Sequence, residues 1–322
     1  MNRCPITYEE IPEGEYSLRG LHALSRKLNR LEPLAYSAEE LRQEAVRRAT
    51  KMSIQGVQPK LSARLNVSGQ TFDVVDVHGH YILKPPSEVY KEAPQNEDVT
   101  MRLAAIAGIE IPFHGMVYAR DGSLTYFIKR FDRTGKKGKL AVEDFAQLQG
   151  RTRNTKYDST MEQVAKTIQE FCTFPVVEFA KLFRLTLFNF VVGNEDMHLK
   201  NFSLIEREGK VELSPAYDLL NTTIAMGKAV EELALPLHGK KSRLTREDFL
   251  KYFGIDRLQL QPKIIDQTVK EFADALPSFF ELINISFLSP EMKTQYSKLL
   301  AESFRVLGID PIDQPVASPR TD

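Results

Sequence analysis

Asp196, Asn201 and Asp218 are the residues whose types and spacing point most directly to chemistry. An Asp is followed five positions later by an Asn. A second Asp stands beyond two short apolar runs, Phe202 to Ile205 and Lys210 to Leu213, which a Glu208-Gly209 turn can fold into a hairpin. Such a hairpin returns Ser214 to Asp218 beside the loop that holds Asp196 and Asn201, so three oxygen-bearing side chains converge. Phosphoryl transfer needs a carboxylate to take the proton of the attacking hydroxyl, and hard oxygens to hold magnesium against phosphates. Asp196 suits the first role, and Asn201 and Asp218 suit the second. Taken singly, each is as readily a helix cap or a turn residue. Asn194, Asp196, His198 and Lys200, polar at alternate positions directly after a hydrophobic helix, argue for a site.

Upstream residues supply what a nucleotide needs. Ser53 to Lys60 precedes the first clear strand, and its Gln55, Gly56 and Val57 can lay backbone amides over phosphates, although an ordinary turn entering a strand has the same composition. Lys84 ends the apolar run Tyr81 to Leu83, where an inward ammonium needs an anion, either phosphate or carboxylate. Glu97, on the next helical segment, is a candidate partner; a first-turn Glu is also favoured by the helix dipole.

The elements that must position these residues follow from periodicity. Ser37 to Arg48 reads as a helix with Ser37 as cap and Glu40 three residues on. Period-two runs over Leu61 to Val67, Thr71 to Val77 and Tyr81 to Lys84 predict an antiparallel meander. Asn96 to Ala107 predicts a helix stopped by Gly108, and two strands follow around Asp121-Gly122, ending at Phe131. The basic stretch Gly135 to Lys139 reads as a solvated loop. Beyond it Met161 to Phe171, Val176 to Val192 and segments from Thr245 to Val306 are helical, and Gln314 to Asp322 is a frayed tail. At 322 residues, two lobes around a crevice are expected. The fold class is α+β and two-lobed: an extension over 1–51, a β-rich lobe over 52–133 and a helical lobe over 134–322.

Lysine plus arginine total 43 and aspartate plus glutamate total 43, so net charge recommends neither nucleic acid nor a membrane surface. Two distant cysteines, Cys4 and Cys172, argue against a disulfide scaffold and fit a reducing cytoplasm. Met1 to Glu15 lacks the apolar core of a secretory signal, and the longest greasy run, Phe183 to Gly193, is too short to span a bilayer.

In chain order, Ser53-Ile54-x-Gly56-x-Gln58-x-Lys60, Ile82-Leu83-Lys84-Pro85, Asn96-Glu97, Arg130-Phe131-Asp132-Arg133, Gly193-x-x-Asp196-x-His198-x-Lys200-Asn201-Phe202 and Tyr217-Asp218 resemble the HipA family of bacterial serine/threonine kinase toxins, from about Met52 onward. The resemblance implies a protein-kinase-like fold with ATP between the lobes and Lys84 on its phosphates. It places Lys129 to Phe131 at the hinge facing adenine. Where the family has an acid there, this chain has Lys129, so backbone contacts are the ones expected. Asp196 is then the catalytic base, Asn201 and Asp218 hold Mg2+, and His198 and Lys200 line the phosphate side. Ser53 becomes an autophosphorylation site, where a phosphate of charge about −1.5 to −2 would repel ATP and eject the loop. Full-length family members carry a further N-terminal subdomain. With 52 residues before Ser53, the chain resembles the short form HipT. The resemblance then implies HipS-like and HipB-like antitoxin partners, with DNA reached only through the antitoxin.

The expected activity is transfer of the ATP γ-phosphate to a host protein, an aminoacyl-tRNA synthetase by resemblance. A small-molecule kinase is the alternative enzyme, and a catalytically silent co-repressor is the alternative binding module. Ser53 separates the first two, and the complete set Lys84, Asp196, Asn201 and Asp218 speaks against the third.

Overall fold

The computed structural model describes residues 2–48, 59–135, 137–227 and 231–310. Ser53, Gln55, Gly56, Val57 and the tail 314–322 lie outside the described residues. The chain opens with a two-strand pair, β1 (Asn2–Arg3) and β2 (Glu10–Ile11), followed by α1 (Leu18–Leu24) and α2 (Ala38–Arg48). The expected cap of α2 forms reciprocally. The Glu40 backbone N–H donates to Ser37 Oγ at 3.3 Å, and the Ser37 N–H donates to Glu40 Oε2 at 2.8 Å.

β3 (Leu61–Asn66), β4 (Thr71–Val74) and β5 (Tyr81–Lys84) form the meander. After α3 (Ala93–Ile106) come β6 (His114–Tyr118) and β7 (Leu124–Lys129), which complete an antiparallel five-stranded sheet in the order β4-β3-β5-β7-β6. α3 starts three residues earlier than the apolar spacing predicts. Pro94 sits in its first turn, where proline costs no hydrogen bond. It stops as expected at Gly108, whose φ of +74° suits glycine.

Alternation along the strands gives the sheet two apolar faces. Leu61, Ala63, Phe72, Tyr81, Leu83 and Phe127 are buried against Cys4, Ile6, Leu21, Leu28, Leu31, Leu34 and Leu41 of the N-terminal segment. That segment therefore roofs the sheet. Ile82, Tyr126 and Ile128 face the other way and join the larger core.

β8 (Arg133–Thr134) and β9 (Gly138–Lys139) pair where the sequence suggests only a loop, although the pair is largely exposed. Three elements lead on to the long helices: β10 (Val142–Asp144), α4 (Phe145–Leu148) and α5 (Met161–Phe171). α6 (Pro175–Val191) ends at a turn into a short 3-10 segment, Leu199–Asn201. β11 (Ser203–Arg207) and β12 (Lys210–Leu213) make the expected hairpin with Glu208 and Gly209 as its two loop residues, both at positive φ (50° and 72°), as a type I′ turn requires. β10 adds to this hairpin as a third strand. α7 (Thr222–Met226), a π-helical segment over Asp248–Arg257, α8 (Pro262–Ile285) and α9 (Pro290–Val306) finish the helical lobe. Phe183, Phe188, Phe249, Phe253, Phe272, Phe279 and Phe304 fill its core. Among the described residues no helix is long and apolar enough to cross a membrane, and Cys4 and Cys172 are buried and unpaired.

Candidate active site

Strand parity carries Lys84 to the same sheet face as Ile82, toward the helical lobe. Its Nζ lies 2.6 Å from Glu97 Oε1 on α3 and also donates to Asp218 Oδ1. Lys84 is 4% exposed and Glu97 1%, so these charges rely on one another rather than on water. Burial works against the Lys84 ammonium, but Asp218 and Glu97 outweigh it and hold its pKa above the ordinary value. Burial likewise opposes the Asp218 carboxylate, and Lys84 and Lys60 overcome it, keeping Asp218 well below the usual carboxylate range. For Glu97 burial wins: its carboxyl is pushed up to about 7, with Lys84 offsetting only part of the cost.

The triad is held in register by its neighbours. Asn96, next to Glu97, donates from Nδ2 to the Asn221 carbonyl at 2.9 Å and accepts the Asn221 N–H on Oδ1 at 3.0 Å. The segment after Asp218 is thereby clamped to α3. Asp218 itself adopts φ +60°, a left-handed conformation that costs a non-glycine residue about 1–3 kcal/mol and must be enforced by its surroundings.

Asp196 stands opposite, with its main chain fixed on both sides. Its N–H donates to Asn194 Oδ1 at 3.2 Å, and its carbonyl accepts from Asn201 Nδ2 at 2.9 Å. Because the amide nitrogen of Asn201 is committed in this way, its oxygen is the atom left for a cation. Lys200 Nζ lies 2.6 Å from Asp144 Oδ2. Tyr217 donates from its hydroxyl to the Lys200 carbonyl at 3.0 Å, and its ring packs 5.6 Å from that of Phe131. His198 is 5% exposed, and burial keeps its imidazole pKa below the ordinary value despite Asp196.

These groups line one cleft of about 400 Å³ between the lobes, with Ile82, Ile128 and Phe131 among its apolar walls and Lys60, Arg153 and Lys156 among its cations. The structure thus brings Lys84, Glu97, Asp196, His198, Lys200, Asn201, Asp218 and Phe131 together. Lys129 borders the cleft, but it pairs with Tyr81, so alternation assigns its exposed side chain to the other sheet face and leaves its main chain toward the site. Among the described residues no three His, Cys, Asp or Glu side chains form a ready-made metal cage. One Asp and one Asn fit magnesium held jointly by protein oxygens and substrate phosphates. Two contributors escaped sequence reasoning. Asp144, which in the structure caps α4 by accepting from the Gln147 N–H, and Tyr157, which donates to Asp196 Oδ1, carry no linear signal that marks them as site residues.

Residues 52–279 match the HipA-like C-terminal domain family. The chain belongs to that family. Relatives of this HipA-family chain include a putative kinase of Haemophilus influenzae, 28% identical over 84% of this chain and 88% of that protein. Another is the putative kinase Y4dM of Sinorhizobium fredii, 32% identical over 74% of this chain and 61% of that protein. The serine/threonine-protein kinase toxin HipA of Shewanella oneidensis is 29% identical over 53% of this chain and 43% of its own length. The structure of HipA from that organism, solved with HipB and operator DNA, superposes with a TM-score of 0.67 at 22% identity, covering 88% of this chain and 74% of that one. The fold of this HipA-family chain is accordingly the two-lobed, kinase-like one.

Proposed function

We propose that this chain is an ATP-dependent serine/threonine protein kinase acting as the toxin of a toxin-antitoxin module. One observation carries the reading: Lys84 contacts both Glu97 and Asp218 in the cleft that also holds Asp196 and Asn201. Lys84, held by Glu97, turns its ammonium to the ATP phosphates, which releases Asp218. Asn201 and Asp218 would hold Mg2+, and the ion would supply charge neutralisation at the transferred phosphoryl group. Asp196 takes the proton of the acceptor hydroxyl. Ile82, Ile128 and Phe131 enclose the adenine side with the main chain of Lys129, while His198 and Lys200 line the phosphates. By family resemblance Gln55, Gly56 and Val57 are the further ATP-contacting residues of this reading and Ser53 is its autophosphorylation site. The acceptor is a serine or threonine of a host protein, with an aminoacyl-tRNA synthetase the candidate that family resemblance supplies. HipB-like and HipS-like proteins are the antitoxin partners of this reading: the HipB and operator DNA in the Shewanella complex support the first, and family resemblance alone suggests the second.

The test is incubation of the full chain with γ-labelled ATP and magnesium, alongside Asp196→Gln. Label on Ser53 of the wild type and none on the variant is expected, together with slowed growth of cells expressing only the wild type. No transfer in cis or in trans overturns the reading.

A further inference from the structure

Both main-chain polar groups of Asp196 are pinned by Asn194 and Asn201, so what remains free is the rotation of its carboxylate. Among the described residues a single side-chain hydrogen bond fixes that rotation: the Tyr157 hydroxyl donates to Asp196 Oδ1. His198 Nε2 lies 3.8 Å from the same oxygen, beyond hydrogen-bond reach.

Tyr157 is itself well anchored. Its ring meets the His198 imidazole edge to face, with centroids 5.1 Å apart and planes at 83°, and Lys156 Nζ sits 4.9 Å from the ring centroid. The Lys156 carbonyl accepts the Leu199 N–H at 3.2 Å, which ties the tyrosine's segment to the loop that follows Asp196. On the other side, Thr160 caps α5, and the Met161 N–H donates to the Pro236 carbonyl at 2.9 Å. Burial and the neighbouring Asp196 raise the phenol's pKa, so it remains a donor.

We infer that Tyr157 is a positioning residue for phosphoryl transfer: it holds one oxygen of Asp196 so that the other, Oδ2, meets the acceptor hydroxyl. This rests on the kinase reading above. The Tyr157 proton stays on its own oxygen throughout. The acceptor proton passes to Asp196 as the new O–P bond forms and ADP leaves. Misplacing a catalytic group by about 1 Å can cost on the order of a hundredfold in rate, so loss of this one hydrogen bond is expected to lower turnover by about tenfold.

The experiment compares wild type, Tyr157→Phe, Tyr157→His and Asp196→Asn in ATP–Mg turnover, with water, the chain itself and dephosphorylated casein as acceptors. Nucleotide affinity is read with a fluorescent ATP analogue, and thermal unfolding is followed in parallel. Tyr157→Phe keeps the ring on His198. It is expected to lose about tenfold in kcat with KM for ATP, nucleotide affinity and melting temperature unchanged. Tyr157→His, which retains a ring donor, regains part of the rate. Adding Tyr157→Phe to Asp196→Asn costs nothing further. Turnover of Tyr157→Phe equal to or above wild type overturns the inference, because the tyrosine then merely occupies the acceptor's place. Phosphate found on Tyr157 overturns it too. A wild-type chain that binds nucleotide but transfers phosphate to none of the three acceptors removes the kinase reading itself, and this inference with it.

Discussion

At the scale of single residues the site is governed by how one ammonium is shared between a buried carboxyl group, Glu97, and a half-buried one, Asp218. Glu97 is the group poised to titrate, since burial lifts it from an ordinary 4.5 to about 7. Below that pH it is neutral, and Lys84 is left to Asp218, the same carboxylate the metal needs; above it, the Lys84–Glu97 ion pair is complete. Phosphoryl transfer is therefore expected to fall as pH drops through about 7, and Glu97→Gln to be slower but flat across that interval. A Glu97→Gln profile as steep as wild type would assign the dependence to another group. The stability effect has the opposite sign. A carboxyl raised in the folded state binds its proton more tightly than the unfolded chain does. Glu97 thus favours folding most below pH 4.5 and gives that up as pH rises toward about 7. Lys84 and Asp218 were legible as charged residues at strand and loop ends, but nothing local showed that they touch.

At the scale of elements, the three-stranded unit of β10, β11 and β12 delivers both sides of the phosphate wall. β11 begins two residues after Asn201, and β10 ends on Asp144, which caps α4 through Oδ1 while holding Lys200 through Oδ2. The two duties can be separated. Asp144→Asn keeps the cap but loses the charge, so its melting temperature should stay close to wild type while nucleotide affinity falls severalfold, as read by titration. Asp144→Ala should lose the cap as well, about 1 kcal/mol of stability in denaturant unfolding. Equal stability of the two variants would mean that the cap contributes nothing. The hairpin was readable because Glu208-Gly209 between apolar runs is a local signal. β10 was not, because three residues cannot display alternation and its partner strand lies far along the chain.

At the scale of the whole molecule, the N-terminal segment is a structural part of the β-rich lobe. It roofs the outer sheet face and is pinned to α3. Arg102 donates to Asp98 Oδ2 at 2.9 Å and to the Ile6 carbonyl at 2.9 Å, and its guanidinium stacks 4.1 Å over the Tyr8 ring. Asp98 is fully buried and adjoins Glu97, so the roof and the active-site ion pair share one turn of helix. Burial alone would raise the Asp98 carboxyl, but Arg102 and His114 outweigh it and hold it at about 2. Its contribution to stability is thus present above the ordinary 3.8 and is lost as pH falls toward about 2. Arg102→Met leaves the buried Asp98 carboxylate with His114 as its remaining partner and is expected to cost roughly 3 kcal/mol in denaturant unfolding, with a matching loss of transfer as α3 loosens. An unchanged unfolding midpoint would show that the clamp is dispensable.

The sequence by itself determined what is local. The Asp196 and Asn201 spacing, the Glu208-Gly209 turn that folds the chain back toward Asp218, the Ser37 cap, the Gly108 stop and the alternation that turns Lys84 inward each depend on residues a few positions apart. Only the tertiary structure decided that Asp144 holds Lys200, that Tyr157 holds Asp196, that Asn96 clamps Asn221 and that residues 2–48 cover the sheet. The physical reason is one of range. Caps, turns and periodicity are satisfied by the backbone's nearest neighbours, whereas a contact between distant side chains exists only once the burial of two apolar faces has chosen which elements meet.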